Sequence, residues 1–194
     1  MSRRSREHGP VTRQRRFDPP ATIGVIADTH IYLSRSRELP EGVLRLFERA
    51  DVDLIVHLGD VNSSFVLESL AEVAPIIAVA GNNDDPELHV TLPERTRIFT
   101  GEWSFGALHG HGGKSARAQA IDQFHGKVDC ILFGHSHKPL IENIDGTILF
   151  NPGSPTDRRW NEHFGIGLIH VTATKIQPDL VLFTDPDHLD NINV

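Results

Sequence analysis

An α/β domain, a parallel sheet wrapped by helices, is the fold class this sequence predicts. Three observations predict it. Short apolar runs alternate with stretches of helical periodicity three times between Thr22 and Ala80. Each run ends in a turn bearing a polar, ligand-grade side chain, which is where an open parallel sheet places its site. The chain of 194 residues, 39% of them hydrophobic, is long enough for one domain with a sizeable core.

The elements follow in order. Residues 1–20 are polar, Arg-rich and closed by Pro19-Pro20, and read as a flexible basic extension; residues 21–184 read as the single domain. Residues 22–27 form the first core strand, with Asp28-Thr29-His30 at its carboxyl end. A polar loop, 31–39, precedes a helix opened by Pro40, with Val43, Leu44, Phe47 and Ala50 on its inner face. Residues 53–58 are the second strand and end in Gly59-Asp60. Ser63 or Ser64 is placed to cap a second helix with Phe65, Val66, Leu70 and Val73 inside. The strand 76–80 then runs into Gly81-Asn82-Asn83-Asp84.

Residues 88–93 read as a connection, and 95–100 and 103–108 as a hairpin across Gly101-Glu102. The second of these ends in His109-Gly110-His111, and a helix over 114–124 buries Ala116, Ala120, Ile121 and Phe124. Residues 128–133 are a buried strand stopped by Gly134, and His135 and His137 follow at once. In an extended chain, positions two apart point the same way, so this pair should leave the strand side by side, as should Asp28 and His30. Residues 140–144 and 147–150 flank Asp145-Gly146, a strong hairpin signal. Asn151-Pro-Gly-Ser-Pro155 is a turn cluster, and 165–171 and 175–183 are closing strands. Pro178 puts the last strand at an edge. Residues 185–194 read as an acidic, weakly patterned tail.

Composition narrows the function. Six arginines against Glu7 and Asp18 give residues 1–20 a charge of +4, while the other 13 basic and 24 acidic residues give −11. An acidic body counts against nucleic acid as a partner. No apolar run reaches membrane-spanning length. The single cysteine, Cys130, sits inside a core strand, consistent with a reducing compartment, the cytoplasm.

Seven polar residues stand at strand ends: Asp28, His30, Asp60, Asn82, His109, His135 and His137. Singly, each has a plain role, such as a helix cap, a turn amide or a loop histidine. Together they suit two metals, with Asp60 at the end of the central strand as the bridging carboxylate. Imidazole, carboxylate and amide oxygen without thiolate select Mn, Fe, Zn, Co or Ni over Ca.

The blocks Asp28-x-His30, Gly59-Asp60, Gly81-Asn82-x-Asp84, His109-Gly-His111 and Gly134-His-x-His137, in this order, resemble those of the calcineurin-like metallophosphoesterases. The block Asn151-Pro-Gly-Ser-Pro-Thr156 resembles the small YfcE-like phosphodiesterase branch. The resemblance implies a four-layer α-β-β-α sandwich of two mixed sheets flanked by helices. It implies that Asp28, His30, Asp60 and His137 hold one divalent ion and Asp60, Asn82, His109 and His135 a second, with Mn first among the candidates. It implies in-line attack by a metal-bridging hydroxide on a small phosphodiester; His111 reads as stabilising phosphoryl oxygens or, equally, as an orienter of a neighbouring ligand or a solvated loop residue. Two ions, two aspartates and one hydroxide leave about +1 facing that monoanion. Asn83 stands where larger relatives carry a His that serves as leaving-group acid, and an amide has no proton to give. The retromer subunit of the same fold implies the alternative, an interaction scaffold; a homo-oligomer is left open. His57 reads as a hydrogen-bonded core residue and Asp84 as an orienter of a neighbouring ligand or a turn stabiliser. Trp103 and Trp160 read as packing residues. Arg158 and Arg159 read as phosphate contacts or a solvated surface.

Overall fold

The computed structural model describes residues 16–32 and 38–192. Residues 1–15 of the basic extension, 33–37 of the first polar loop and 193–194 of the acidic tail lie outside the described residues.

The amino-terminal half alternates strand and helix. β1 (Arg16–Phe17) and β2 (Ala21–Ile26) are followed by α1 (Glu41–Arg49), β3 (Leu54–His57), α2 (Ser64–Val73) and β4 (Ile76–Ala78). α1 starts just after Pro40, carries Glu41 in its first turn and Arg49 in its last, and buries Val43, Leu46 and Phe47. Ser63 holds the cap position of α2, but its side chain makes no capping hydrogen bond. Leu67 rather than Phe65 completes the buried face of α2, with Val66, Leu70 and Val73. The segment read as a connection contains a short helix, α3 (Pro86–Thr91). Pro86 in its first turn favours the helix, but Leu88 is its one buried residue, so no hydrophobic period announced it.

The remaining elements are β5 (Arg95–Thr100), β6 (Trp103–Leu108), α4 (Ala116–Phe124), β7 (Cys130–Phe133), β8 (Leu140–Ile144), β9 (Thr147–Asn151), β10 (Phe164–Val171) and β11 (Ile176–Phe183), then a 3₁₀ turn at Pro186–Asn191. α4 is capped by Ser115, whose hydroxyl accepts from the Ala118 amide at 3.3 Å. Asp145 and Gly146 have φ of 50° and 88°, the left-handed pair of a two-residue hairpin turn.

Two mixed sheets stack face to face. One runs β11-β10-β2-β3-β4, with β2, β3 and β4 parallel; Pro178 lies on its edge strand β11. The other runs β1-β5-β6-β7-β9-β8, with β6, β7 and β9 parallel. Alternation along each strand divides the core. Leu54 and Val56 of β3 meet Phe105, Cys130, Leu132 and Phe150 between the sheets. Ile55 turns outward to Val43, Phe47 and Leu70 of α1 and α2. Ile131 and Phe133 turn outward to Ala116, Ala120 and Phe124 of α4. Both faces of β3 and β7 are therefore buried, which is why they read as unbroken apolar runs. The result is the four-layer α-β-β-α sandwich.

Both terminal segments contribute to it. β1, within the segment read as a flexible extension, pairs in parallel with Phe99–Thr100. In the tail, Leu189 is fully buried and Asp190 pairs with Arg45 and Arg49 at 2.9 and 3.3 Å. Trp160, read as a packing residue, is instead fully exposed. Among the described residues no helix is long and apolar enough to cross a membrane.

Candidate metal centre

The loops after β2, β3, β4, β6 and β7 meet at one end of the sandwich. Backbone bonds zip them together: Asp28 N–H to Gly59 O and His30 N–H to Asp60 O at 3.0 Å each, and Gly134 N–H to His109 O at 3.1 Å. Gly59 has φ of 86°, and a β-carbon there would lie 2.8 Å from His109 Nδ1. A β-carbon on Gly81 would lie 2.2 Å from Asp60 Oδ1. Each glycine clears room for the ligand-grade side chain beside it.

Six of the seven predicted strand-end residues fall into two groups with converging nitrogen and oxygen atoms. Asp28, His30 and His137 form one; Asp60, His109 and His135 form the other. Asp28, His30, Asp60, His109 and His137 are buried and His135 is half-buried. Asp28, His30, Asp60, His135 and His137 all have left-handed backbones, with φ between 46° and 65°. That conformation is costly for residues with a β-carbon, and such strain gathers at functional sites. It also corrects the extended-chain expectation: His135 and His137 do not point the same way but enter different groups.

Hydrogen bonds fix which atoms face inward. His109 Nδ1–H donates to Leu58 O at 2.7 Å, and His137 Nδ1–H donates to Asp157 O. Since a carbonyl only accepts, each Nδ1 carries the hydrogen and in the neutral ring Nε2 keeps its lone pair, the usual way a metal-binding imidazole is set; His109, whose Nε2 faces the Asp60 carboxylate, sheds its second proton before it can bind. His30 Nε2 lies 3.1 Å from His137 Nε2, and His135 Nδ1 lies 3.2 Å from His109 Nε2. Asp28 Oδ1 is 3.5 Å from His137 Nε2. Asp60 reaches both groups: Oδ2 lies 3.6 Å from His30 Nε2 and Oδ1 lies 3.4 Å from His109 Nε2.

These residues fit divalent transition metals. Two ligand atoms about 2.0–2.1 Å from one ion, at tetrahedral or octahedral angles, lie roughly 2.8–3.4 Å apart, which matches the imidazole pairs. Asp28 Oδ2 is buried with no hydrogen-bond partner, a polar atom that a bound cation would satisfy. Burial pushes the Asp28 carboxyl up to about 8. Burial lowers His30 and His135 below the usual imidazole range and His137 to about 4, which keeps their nitrogens free to bind. Burial works against charge on Asp60 and His109 as well, but their hydrogen bond holds Asp60 low and His109 high.

Asn82 and His111 are the other two predicted site residues, and both are exposed. Asn82 is exposed, and its neighbour Asn83 is the one that holds Asp60, through N–H to Oδ1 at 2.8 Å and Nδ2–H to Oδ2 at 2.7 Å. His111 is exposed on the rim, its ring 5.5 Å from that of His109 and 6.5 Å from that of His135. Burial and the nearby His109 lower its pKa.

Supporting residues surround the groups. Asp84 accepts from the Asn62 and Gly81 amides at 2.8 and 2.7 Å, tying the turn after β4 to the loop after β3. His57 meets Thr29 Oγ1 at 3.1 Å in the core. Ser154 Oγ donates to Asp28 O at 2.7 Å, and Asn161 Nδ2 donates to His137 O at 2.8 Å, so the segment 154–161 closes over the first group. Sequence reasoning missed Asn62, Ser154 and Asn161 as parts of the site. Their contacts are long-range and follow no local period; the Asn-Pro-Gly-Ser turn was the one signal.

Comparison with known proteins gives the family and the fold. The calcineurin-like phosphoesterase superfamily domain matches residues 22–174. A probable metallophosphoesterase of Methanocaldococcus jannaschii is 38% identical over 138 residues, 69% of this chain and 68% of the relative. The phosphodiesterase YfcE of Escherichia coli is 32% identical over 140 residues, 59% of this chain and 70% of its own. A crystal structure of a Vps29 variant from Entamoeba histolytica superposes with a TM-score of 0.66 at 23% identity, over 84% of this chain and 99% of that one.

Proposed function

The chain belongs to the calcineurin-like phosphoesterase superfamily, and on that premise we propose that it is a phosphodiesterase dependent on two divalent transition-metal ions. The observation that carries this reading is the reach of one carboxylate. Asp60 has one oxygen 3.6 Å from His30 Nε2 and the other 3.4 Å from His109 Nε2. Asp60 is then the shared ligand. Asp28, His30 and His137 complete one set; His109 and His135 complete the other, to which exposed Asn82 offers an amide oxygen.

When bound, such ions supply Lewis acidity at phosphoryl oxygens and a water acidic enough to serve as nucleophile near neutral pH. The chain's own residues do the remaining work. Leu58 O and Asp157 O fix the rings of His109 and His137. Asn83 fixes the rotation of Asp60. Asp28 and Asp60 contribute −2 against the +4 of two divalent ions, so the site stays net positive toward a phosphodiester monoanion. His111, neutral near pH 7 because its pKa is lowered, donates a ring N–H to a phosphoryl oxygen from the rim. Asn83 has no acidic proton, so the leaving group must be one that departs readily, which favours aryl-type esters. Manganese is the first metal to supply, with Fe, Zn, Co and Ni next.

The rival reading is a metal-holding interaction scaffold, favoured by the fold shared with Vps29. Purified protein, Mn²⁺ and bis(p-nitrophenyl) phosphate separate the two. The enzyme reading expects metal-dependent turnover that drops on the order of a thousandfold in Asp60→Asn. Turnover no higher than that control with any of the five metals leaves only the scaffold.

A further inference from the structure

The segment 157–161 runs between two anchors on the same histidine. At one end the Asp157 carbonyl accepts from His137 Nδ1–H, and at the other Asn161 Nδ2–H donates to His137 O at 2.8 Å. Arg158, Arg159 and Trp160 form the tip between them, and the three differ. Arg158 is engaged: its guanidinium donates to Asn161 O at 2.8 Å and Glu162 O at 3.2 Å, and lies 5.7 Å from the centre of the Phe164 ring. Arg159 is exposed, its backbone held left-handed at φ 48°. Among the described residues its guanidinium has no hydrogen bond or ion pair. It stands two residues after Asp157 and two before Asn161, both of which contact His137, so its backbone lies beside the first metal group. Trp160 is 100% exposed, so folding leaves the whole indole surface in water.

We propose that Arg159 and Trp160 form the recognition tip of this site and select an aromatic phosphate ester. Arg159 takes a non-bridging oxygen of the phosphate. Trp160 offers its indole face to the flat group esterified to it, a nucleobase or an aryl ring. A planar guanidinium with a fork of donors suits phosphate oxygens, and an exposed one on a segment tied to His137 has that task open to it. Stacking on an exposed indole is tolerant of ring identity, so the tip reads the presence of a flat group rather than its edge pattern. The inference rests on the phosphodiesterase reading and names its substrate class.

Calorimetric binding to the Mn²⁺-loaded full chain tests it, with inorganic phosphate, phenyl phosphate and adenosine 5′-monophosphate as probes. Arg159→Ala should weaken all three by roughly tenfold, and Arg159→Lys should restore part of that. Trp160→Ala should weaken the two aromatic esters by about fivefold or more and inorganic phosphate by less than about twofold. The inference is overturned if wild type shows no saturable phosphate binding, if Arg159→Ala leaves phosphate affinity unchanged, or if Trp160→Ala spares the aromatic esters. Asp60-dependent turnover indifferent to both positions would sink the inference and leave the phosphodiesterase standing. The binding pattern without any turnover would do the reverse.

Discussion

Asp28, His30 and His137 are 0%, 7% and 0% exposed beneath the segment 154–161; Asp60 and His109 are as buried, at 0% and 1%, but their partner His135 is half-buried, on the side where Asn82 and His111 are open to water. The first group is closed by late-chain hydrogen bonds from Ser154 and Asn161. The second is backed by Leu58 O and Asn83 and left open on the solvent side. Closed sites hold an ion, and sites with an open position let something else reach it. On the proposed reading the segment 154–161 closes the first group from one side, the half-buried His135 leaves the second the more accessible, and Asp60 lies between them.

Asp60→Asn is the hardest blow to this comparison, because it removes the carboxylate common to both sides. We expect activity to fall on the order of a thousandfold and metal content to drop in both groups; turnover with bis(p-nitrophenyl) phosphate and metal analysis check this. Asn83→Ala comes next. It leaves every proposed ligand and the Asn83 backbone N–H to Asp60 Oδ1 in place but removes the Nδ2–H donor from Oδ2, and should weaken Mn²⁺ binding roughly tenfold in a dialysis titration. Unchanged affinity would show that the Asn83 side-chain contact does not position Asp60.

A pair of substitutions sharpens the contrast itself. His137→Ala opens the closed side and strands the Asp157 carbonyl, so it should cost about 1–3 kcal/mol of stability besides its metal. His135→Ala, on the open side, should leave the melting temperature of the metal-free protein nearly unchanged while metal content falls by about one ion per chain. Equal loss of stability in the two would erase the distinction between a closed and an open side.

The smallest effect concerns His57, behind both groups. Burial lowers its pKa to about 3 from 6.5. Between those values the unfolded chain binds a proton that the folded chain refuses. Its stabilising neutrality is thus complete above pH ~6.5 and lost as pH falls toward 3, about 3 kcal/mol by pH 4. His57→Gln should flatten the acid side of the stability curve measured by urea unfolding; an unaltered acid limb would contradict the assignment.

How much of this was legible beforehand varies with the physics involved. β3 and β7 announced themselves because burial on two faces requires unbroken apolar runs, and Asp60, His135 and His137 were conspicuous as polar residues directly after them. The outward and inward turns of Ile131 and Cys130 follow from strand period alone. The grouping of His135 apart from His137 did not follow from strand geometry, since it depends on left-handed backbones at φ 65° and 55°. α3 was hidden because Leu88 is its one buried residue, and the docking of Leu189 and Asp190 on α1 because those contacts span the length of the chain. Trp160 was misjudged for a related reason: aromatic residues usually pack, and only the fold reveals that nothing covers this one.

One carboxylate shared between two imidazole groups is the claim on which the rest depends, and metal stoichiometry at equilibrium tests it most directly. Dialysed against excess Mn²⁺ at pH 7.5 to 8, near where Asp28 gives up its proton, the wild-type chain should take up two ions and Asp60→Asn one or fewer. A wild-type chain that saturates at a single ion, or an Asp60→Asn variant that still binds two, would contradict the account.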